Sequence, residues 1–420
     1  MFRNSRGFNR LSFLYNQTNK YELIYFCILV FFIFISLFIG FPTDSTNIGI
    51  SSSNLAIGDR FFYINDSIKG YGYPEYSGNI FYPLVLKIIT LTTNFFGKDE
   101  YSKLWNLITI LITSTLSIIS LRLIRESTIF LFEKKVSDIV CIIYILNPYS
   151  YYFSLSGGIT NYLIIGVTFL LYIFCRAFKN GYKITRSILI KDIFFINLGC
   201  VYLSFLRPNG SIMGLIILIF CLCKTLSKLI NHENINLNII INLLITLFGI
   251  TIISLNLKTA LPYSVENVYL FSNEGGLFFG YSRDELRNKL SFTSGNVFEN
   301  IKNFFYLLLW KTTDFVSGLS DIRDTHNAPN IDQIFPFLMR TFTGTFFLFP
   351  LNIFSFVGLI SNRNILLRSD IWVLIFSCFI AISPSFLGVS MSRYLMMFIS
   401  PFIIFAAKAF HDTFRKDIKP

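Results

Sequence analysis

Charge is what this chain has least of. Only 14% of its 420 residues are Asp, Glu, Lys or Arg, and the mean hydropathy is +0.58. Soluble domains carry about 25% charged residues, so the shortfall excludes an ordinary soluble fold and points to a polytopic membrane protein. Other absences narrow the class further. There is no phosphate loop of the Walker type, no Gly-x-Gly-x-x-Gly following a strand, and no alternating α/β pattern. A soluble nucleotide-sugar donor is therefore not expected. No basic stripe interleaves with a soluble fold, so nucleic acid is not an expected partner. No internal repeat, low-complexity tail or separate soluble domain stands out, and no pair of matching broken helices, the usual transporter cue, is evident. The seven cysteines all fall in apolar runs. Cys221 and Cys223 are two apart, which sends them to different helix faces, so neither a disulfide nor a metal site is expected there.

What the chain has in quantity is apolar runs. Runs of spanning length lie at 22–41, 104–124, 136–153, 159–177, 192–206, 209–223, 236–256, 336–360, 371–389 and 394–410. The first is too long for a secretory leader and reads as an uncleaved first helix. Two further stretches, 80–97 and 299–313, are amphipathic and read as interfacial helices. Phe is abundant, at 49 residues, which codon bias in an AT-rich genome explains without any ligand. The expected fold is all-α and integral to the membrane: a single domain over 1–420, with about ten transmembrane helices.

Lys and Arg orient this bundle. With the N-terminus inside, the inner segments hold 21 of the 36 basic and 9 of the 24 acidic residues, a net +12. The outer segments hold 15 of each sign, so the whole net charge falls on one side. Both termini are then expected in the cytoplasm of a cell whose inner membrane, bacterial by composition, holds the chain. Two large outer segments result, 42–103 and 257–335, with shorter outer turns at 207–210 and 390–394. The polar clusters that resemble functional sites all lie on this outer face.

Charged residues in such chains gather where chemistry or binding happens. The first outer segment carries Asp59, Arg60, Tyr63, Asp66, Tyr71, Tyr73 and Glu75. A partly desolvated carboxylate such as Asp59 can act as a general base toward a sugar hydroxyl. It can equally pair with Arg60 or cap a short helix. Asp66 and Glu75 are weaker candidates, since their surroundings also suit turns. Arg207, in the turn Arg207-Pro208-Asn209-Gly210, offers five donors suited to a phosphate, or it snorkels from a helix end. Arg393, beside Tyr394, has the same two readings. The run Asp321, Arg323, Asp324, His326 reads as a substrate-contacting loop, a solvated loop, or a divalent-metal site of Asp321, Asp324 and His326. Metal is not favoured, and no cofactor is expected.

These pieces, in this order, resemble the multi-spanning GT-C glycosyltransferases. The likeness is to the GPI mannosyltransferase that adds the second mannose, and to its bacterial relatives. That family shows an Asp, a Tyr four residues on, a Gly-Tyr pair and then Phe-x-Pro-Leu. Here those positions read Asp59, Tyr63, Gly70-Tyr71 or Gly72-Tyr73, and Phe81-Tyr82-Pro83-Leu84. Asn147-Pro148 followed by Tyr151-Tyr152-Phe153-Ser154 resembles its proline-aromatic turn. Arg207-Pro208-Asn209-Gly210 resembles its Arg-x-Asn-Gly turn, and Ser392-Arg393-Tyr394 its last-span Ser-Arg-Tyr. The chain departs at Gly58, where the family often has Trp, and at Arg60, where other branches have a second acid. The resemblance implies a polyprenyl-phosphate sugar donor, a glycan or glycolipid acceptor, inverting transfer, and Asp59 as base. Two rivals stand beside it. A surface-polysaccharide polymerase would rely on outer arginines such as Arg283, Arg287 or Arg323, and a lipid-linked sugar transporter would do no chemistry.

Overall fold

The computed structural model describes residues 20–39, 81–97, 103–156, 158–179, 190–230, 237–272, parts of 297–309, 343–387, 395 and 398–416. Among these residues the regular structure is helical, with no strand. The helices are α1 (Lys20–Ile39), α2 (Phe81–Phe95), α3 (Lys103–Leu131), α4 (Lys134–Leu146), α5 (Pro148–Ser156), α6 (Thr160–Lys179) and α7 (Ile190–Ser204). They continue as α8 (Pro208–Ile230), α9 (Leu237–Ser272), α10 (Phe349–Ser361), α11 (Arg363–Ser369), α12 (Ile371–Leu387) and α13 (Ile399–Lys416), with a π-helical turn at Thr343–Leu348 leading into α10.

Helix occupies part of every one of the ten apolar runs. Among the described residues, four segments are long and apolar enough to cross a membrane: Lys103–Leu131, Thr160–Lys179, Pro208–Ile230 and Leu237–Lys258. A fifth is added if Phe346–Ser361 and Arg363–Ser369, bent by 73° at their junction, count as one span. The expected figure of ten is thus not matched helix for helix. The run 136–153 is one reason. It is split between α4 and α5 because Pro148 has no N–H to continue the ladder and sits at the first position of a new helix. Asn147 sets that start, its Oδ1 accepting from Tyr149 N at 3.1 Å. The carbonyls freed at the break are taken up locally, by Ser150 Oγ on Tyr144 O at 3.2 Å and Tyr151 OH on Ile145 O at 2.7 Å.

Without a difference in hydrophobicity between helices and lipid, packing and buried hydrogen bonds must hold such a bundle together. The tightest helix pairs, α3 with α6 and α10 with α13, use both. In the first, Asn161 Nδ2 of α6 donates to Thr113 O of α3 at 3.1 Å, and both residues also bind Ser154 of α5, Thr113 Oγ1 donating to its carbonyl at 2.6 Å and Asn161 Nδ2 to its Oγ at 3.1 Å. Beside them Tyr25 OH, Ser117 Oγ and Tyr144 OH form a buried chain at 2.7 and 3.0 Å that ties α1 and α4 to α3. In the second pair, Ser355 Oγ reaches Phe402 O at 3.0 Å, and Gly358 lies so near the Phe405 carbonyl that a Cβ there would collide with it.

The two ends of the bundle are chemically distinct. At one end the start of α1 meets the end of α3 through Glu22 and Arg125, 3.0 Å apart. Arg415 near the end of α13 reaches Glu133 beside α4 at 3.4 Å, and Arg176 of α6 pairs with Asp192 of α7. Lys179 lies over the Phe130 ring and Lys408 over Phe132. The opposite end is built from aromatic rings, amides and hydroxyls. It carries the site considered next.

Candidate functional site

The turn between α7 and α8 is the centre of this second end. A helix leaves its last carbonyls without intrahelical donors, and here most of them are accounted for. Leu203 O accepts from Leu206 N at 3.2 Å and Arg207 N at 3.3 Å. Ser204 O accepts from Asn256 Nδ2 of α9 at 2.7 Å and from Ser211 Oγ of α8 at 3.3 Å. Phe205 O accepts from Phe81 N, the first residue of α2, at 3.2 Å. Gly210 makes the turn tight: a Cβ there would strike the Leu203 carbonyl oxygen.

Two of the expected site residues lie in this turn. Arg207 is half-buried at the end of α7, its backbone N–H used on Leu203 O and its carbonyl accepting from Ser211 N at 3.2 Å. Asn209 donates through Nδ2 to Ala381 O of α12 at 2.8 Å. Next to it, Pro384 has no N–H to give Ile380 O, four residues back, and Ser383 Oγ serves that carbonyl at 2.8 Å. The amide thus ties α8 to α12, a role its place in an Arg-x-Asn-Gly turn did not suggest.

The Phe81-Tyr82-Pro83-Leu84 motif comes to the same place. The Phe81 ring packs on Tyr202 with centroids 5.1 Å apart and on Tyr162 at 6.5 Å, while Tyr82 packs on Tyr162 at 5.3 Å. Tyr202 OH donates to Tyr162 O at 3.0 Å. Thr90, farther along α2, accepts from Trp105 Nε1 near the start of α3 at 3.1 Å. So α2 runs across the ends of α3, α6 and α7 rather than down through the bundle. Its buried side carries Tyr82, Leu86, Ile89 and Thr93, and its exposed side Leu84, Ile88 and Leu91. That matches the amphipathic reading of 80–97.

Two motifs separated by more than a hundred residues are therefore brought into contact. The Asn147-Pro148 piece lies apart from them, where the Tyr25, Ser117 and Tyr144 hydroxyls meet. Asp59, Arg60, Tyr63, Asp66, Tyr71, Tyr73, Glu75, Asp321, Arg323, Asp324, His326, Arg393 and Tyr394 lie outside the described residues. Among the described residues no group of three His, Cys, Asp or Glu side chains is placed to hold a metal. Sequence reasoning missed Asn256, Tyr162 and Tyr202. Asn256 was open to notice, being an amide near the end of an apolar run. The two tyrosines gave no such signal among so many aromatic residues. No protein-family model matches the chain, and neither does any curated protein or solved structure.

Proposed function

We propose that the chain is a membrane glycosyltransferase that moves a sugar from a polyprenyl-phosphate carrier to a glycan or glycolipid hydroxyl on the outer face. Asp59 takes the proton of the acceptor hydroxyl. The acceptor oxygen bonds to the anomeric carbon while the bond from that carbon to the phosphate oxygen breaks. The electron pair stays on the phosphate, and the configuration inverts. Arg207 and Arg393 stabilise the charge that develops on the leaving phosphate. Tyr63, Tyr71 and Tyr73 line the sugar site. The basic end of the bundle is then cytoplasmic and the α7–α8 turn faces outward, as the one-sided charge predicts.

The observation that carries this reading is the meeting of Phe81 with Phe205, 3.2 Å from N to O. It brings Phe81, at the start of α2, against the Arg207 turn, and so supports a reading in which the sequence motifs around 81–84 and 207–210 serve one site. Asp59→Asn is expected to lower transfer by about a hundredfold or more while the protein still purifies folded. Full activity in that variant overturns the assignment of Asp59.

One observation favours the transporter reading. The helix is interrupted at Asn147–Pro148, and α10 and α11 are bent by 73°; discontinuous helices are a transporter feature. Incubating purified protein in detergent with lipid-linked sugar and acceptor separates the two. A transferase releases polyprenyl phosphate there and a transporter releases none.

A further inference from the structure

At the charged end of the bundle α10 stops at Ser361, and the chain turns by 73° into α11. Asn362 makes the corner. Its N–H and its Nδ2 both donate to Gly358 O, at 3.1 and 2.9 Å, and its carbonyl accepts from Ile365 N and Leu366 N at 3.0 and 3.1 Å. The seven residues of α11 extend about 10 Å, too short to cross a membrane. The helix packs on α6 and α12 and ends at Asp370, whose φ of 58° lies in the left-handed region. It therefore lies across the end of the bundle instead of continuing α10.

Its two faces differ. Ile365 and Leu366 pack toward the core, and Ser369 is buried. Arg363, Asn364, Leu367 and Arg368 are exposed, Leu367 by 60%. At about 100° per residue these four fill one arc of the helix, with an arginine at each edge and Leu367 and Asn364 between. Neither arginine has a carboxylate in ion-pair range among the described residues, unlike Arg122, Arg125, Arg176 and Arg415. Asp370 is the one acidic residue from 333 to 411. It is buried, so this stretch sets no negative charge beside them.

The neighbouring helices add to the same surface. Trp372, in the first turn of α12, is 37% exposed and meets Phe220 of α8 edge-on at 5.4 Å. Lys224, exposed near the end of α8, holds its Nζ 5.5 Å from the centre of that ring. Water alone does not favour an exposed leucine between two arginines, and the hydrocarbon core does not tolerate arginines without counter-charge. The headgroup layer suits both, and tryptophan prefers the same depth.

We propose that the exposed arc of α11, with Trp372 and Lys224, is a binding surface for acidic phospholipid headgroups. Arg363 and Arg368 take phosphate oxygens, and Leu367 enters the acyl boundary between them. This surface lies at the end of α8 opposite the Arg207 turn and does not depend on the transferase reading.

The test uses the full-length protein reconstituted in phosphatidylcholine bilayers with rising fractions of phosphatidylglycerol brominated on its acyl chains. Bromine quenches a tryptophan that it touches, and the part of the quenching lost in Trp372→Phe reports on this surface. The wild type is expected to prefer phosphatidylglycerol to brominated phosphatidylcholine. Arg363→Gln and Arg368→Gln are each expected to lower that preference by up to about fivefold, the contribution of one cation at the headgroup layer, and the double variant to lower it further. Arg415→Gln removes a charge that Glu133 already pairs and is expected to leave the preference unchanged. An equal loss in Arg415→Gln overturns the site and leaves only the summed charge of this end. A double variant with the wild-type preference overturns it as well. Raising salt from about 0.1 to 1 M is expected to erase the preference of the wild type, and persistence at high salt counts against the proposal; this series decides the point if the double variant fails to fold. Inorganic phosphate in place of chloride at equal ionic strength is expected to change nothing, and displacement of the lipid by it overturns the assignment to headgroups.

Discussion

The two ends of this bundle solve the same problem by different means. At the Glu22–Arg125 end, helices are joined by charges of opposite sign: Glu22 with Arg125, Arg176 with Asp192, and Arg415 with Glu133. At the α7–α8 turn they are joined by neutral groups. Asn256 and Ser211 share one carbonyl, Asn209 takes another, and the Phe81 N–H a third. Ion pairs do this work at the first end, and the second end satisfies its backbone with amides and hydroxyls.

The comparison is broken most severely at Glu22. Its carboxylate and the Arg125 side chain are only 8% and 15% exposed, and at 3.0 Å they form an ion pair rather than an aligned hydrogen bond, since Glu22 Oε1 and Arg125 Nε lack hydrogen-bond partners among the described residues. Truncating one member leaves a buried charge unpaired, at a cost of about 3–5 kcal/mol. Glu22→Ala is expected to lower the midpoint of thermal unfolding in detergent strongly, and Glu22→Leu combined with Arg125→Met to recover most of the loss. A double variant as unstable as the single one would show that the pair itself, not the orphaned charge, matters.

At the other end the corresponding weak point is steric. Gly210→Ala places a Cβ against the Leu203 carbonyl, and forcing the turn apart is expected to cost about 1–3 kcal/mol. The same unfolding measurement reads it, and a neutral result would mean that the turn relaxes without loss. The smallest effect is expected at Arg415→Ala. Both side chains of the Arg415–Glu133 pair are 61% exposed, and exposed pairs contribute at most about 1 kcal/mol. A large destabilisation there would show that the charged end is a cooperative network instead of a set of separate pairs.

The sequence makes some of this legible and hides the rest for identifiable reasons. Apolar runs show where helix forms, because burying unpaired backbone away from water is prohibitive. They do not show where a helix stops being long enough to span, since that depends on interruptions such as Pro148 and on polar ends such as Asp192 in α7. The distribution of Lys and Arg suggested a common side for the Phe81 and Arg207 motifs, and the structure puts them in contact. The bond from Asn209 to Ala381 bridges a sequence separation of 172 residues. No local pattern announces it, because the acceptor is a backbone carbonyl in a distant helix. Asp59 and the residues around it belong to segments with few apolar side chains, where periodicity says little about geometry.

Gly210 also bears on how the chain is made. The helix before it, α7, has 15 residues and an acidic residue in its first turn, less than the roughly 20 residues that cross a bilayer unaided. Its partner α8 has 23 and is strongly apolar. The glycine closes these two into a hairpin with their backbones in near contact, so the weaker helix can enter the membrane on the strength of its neighbour.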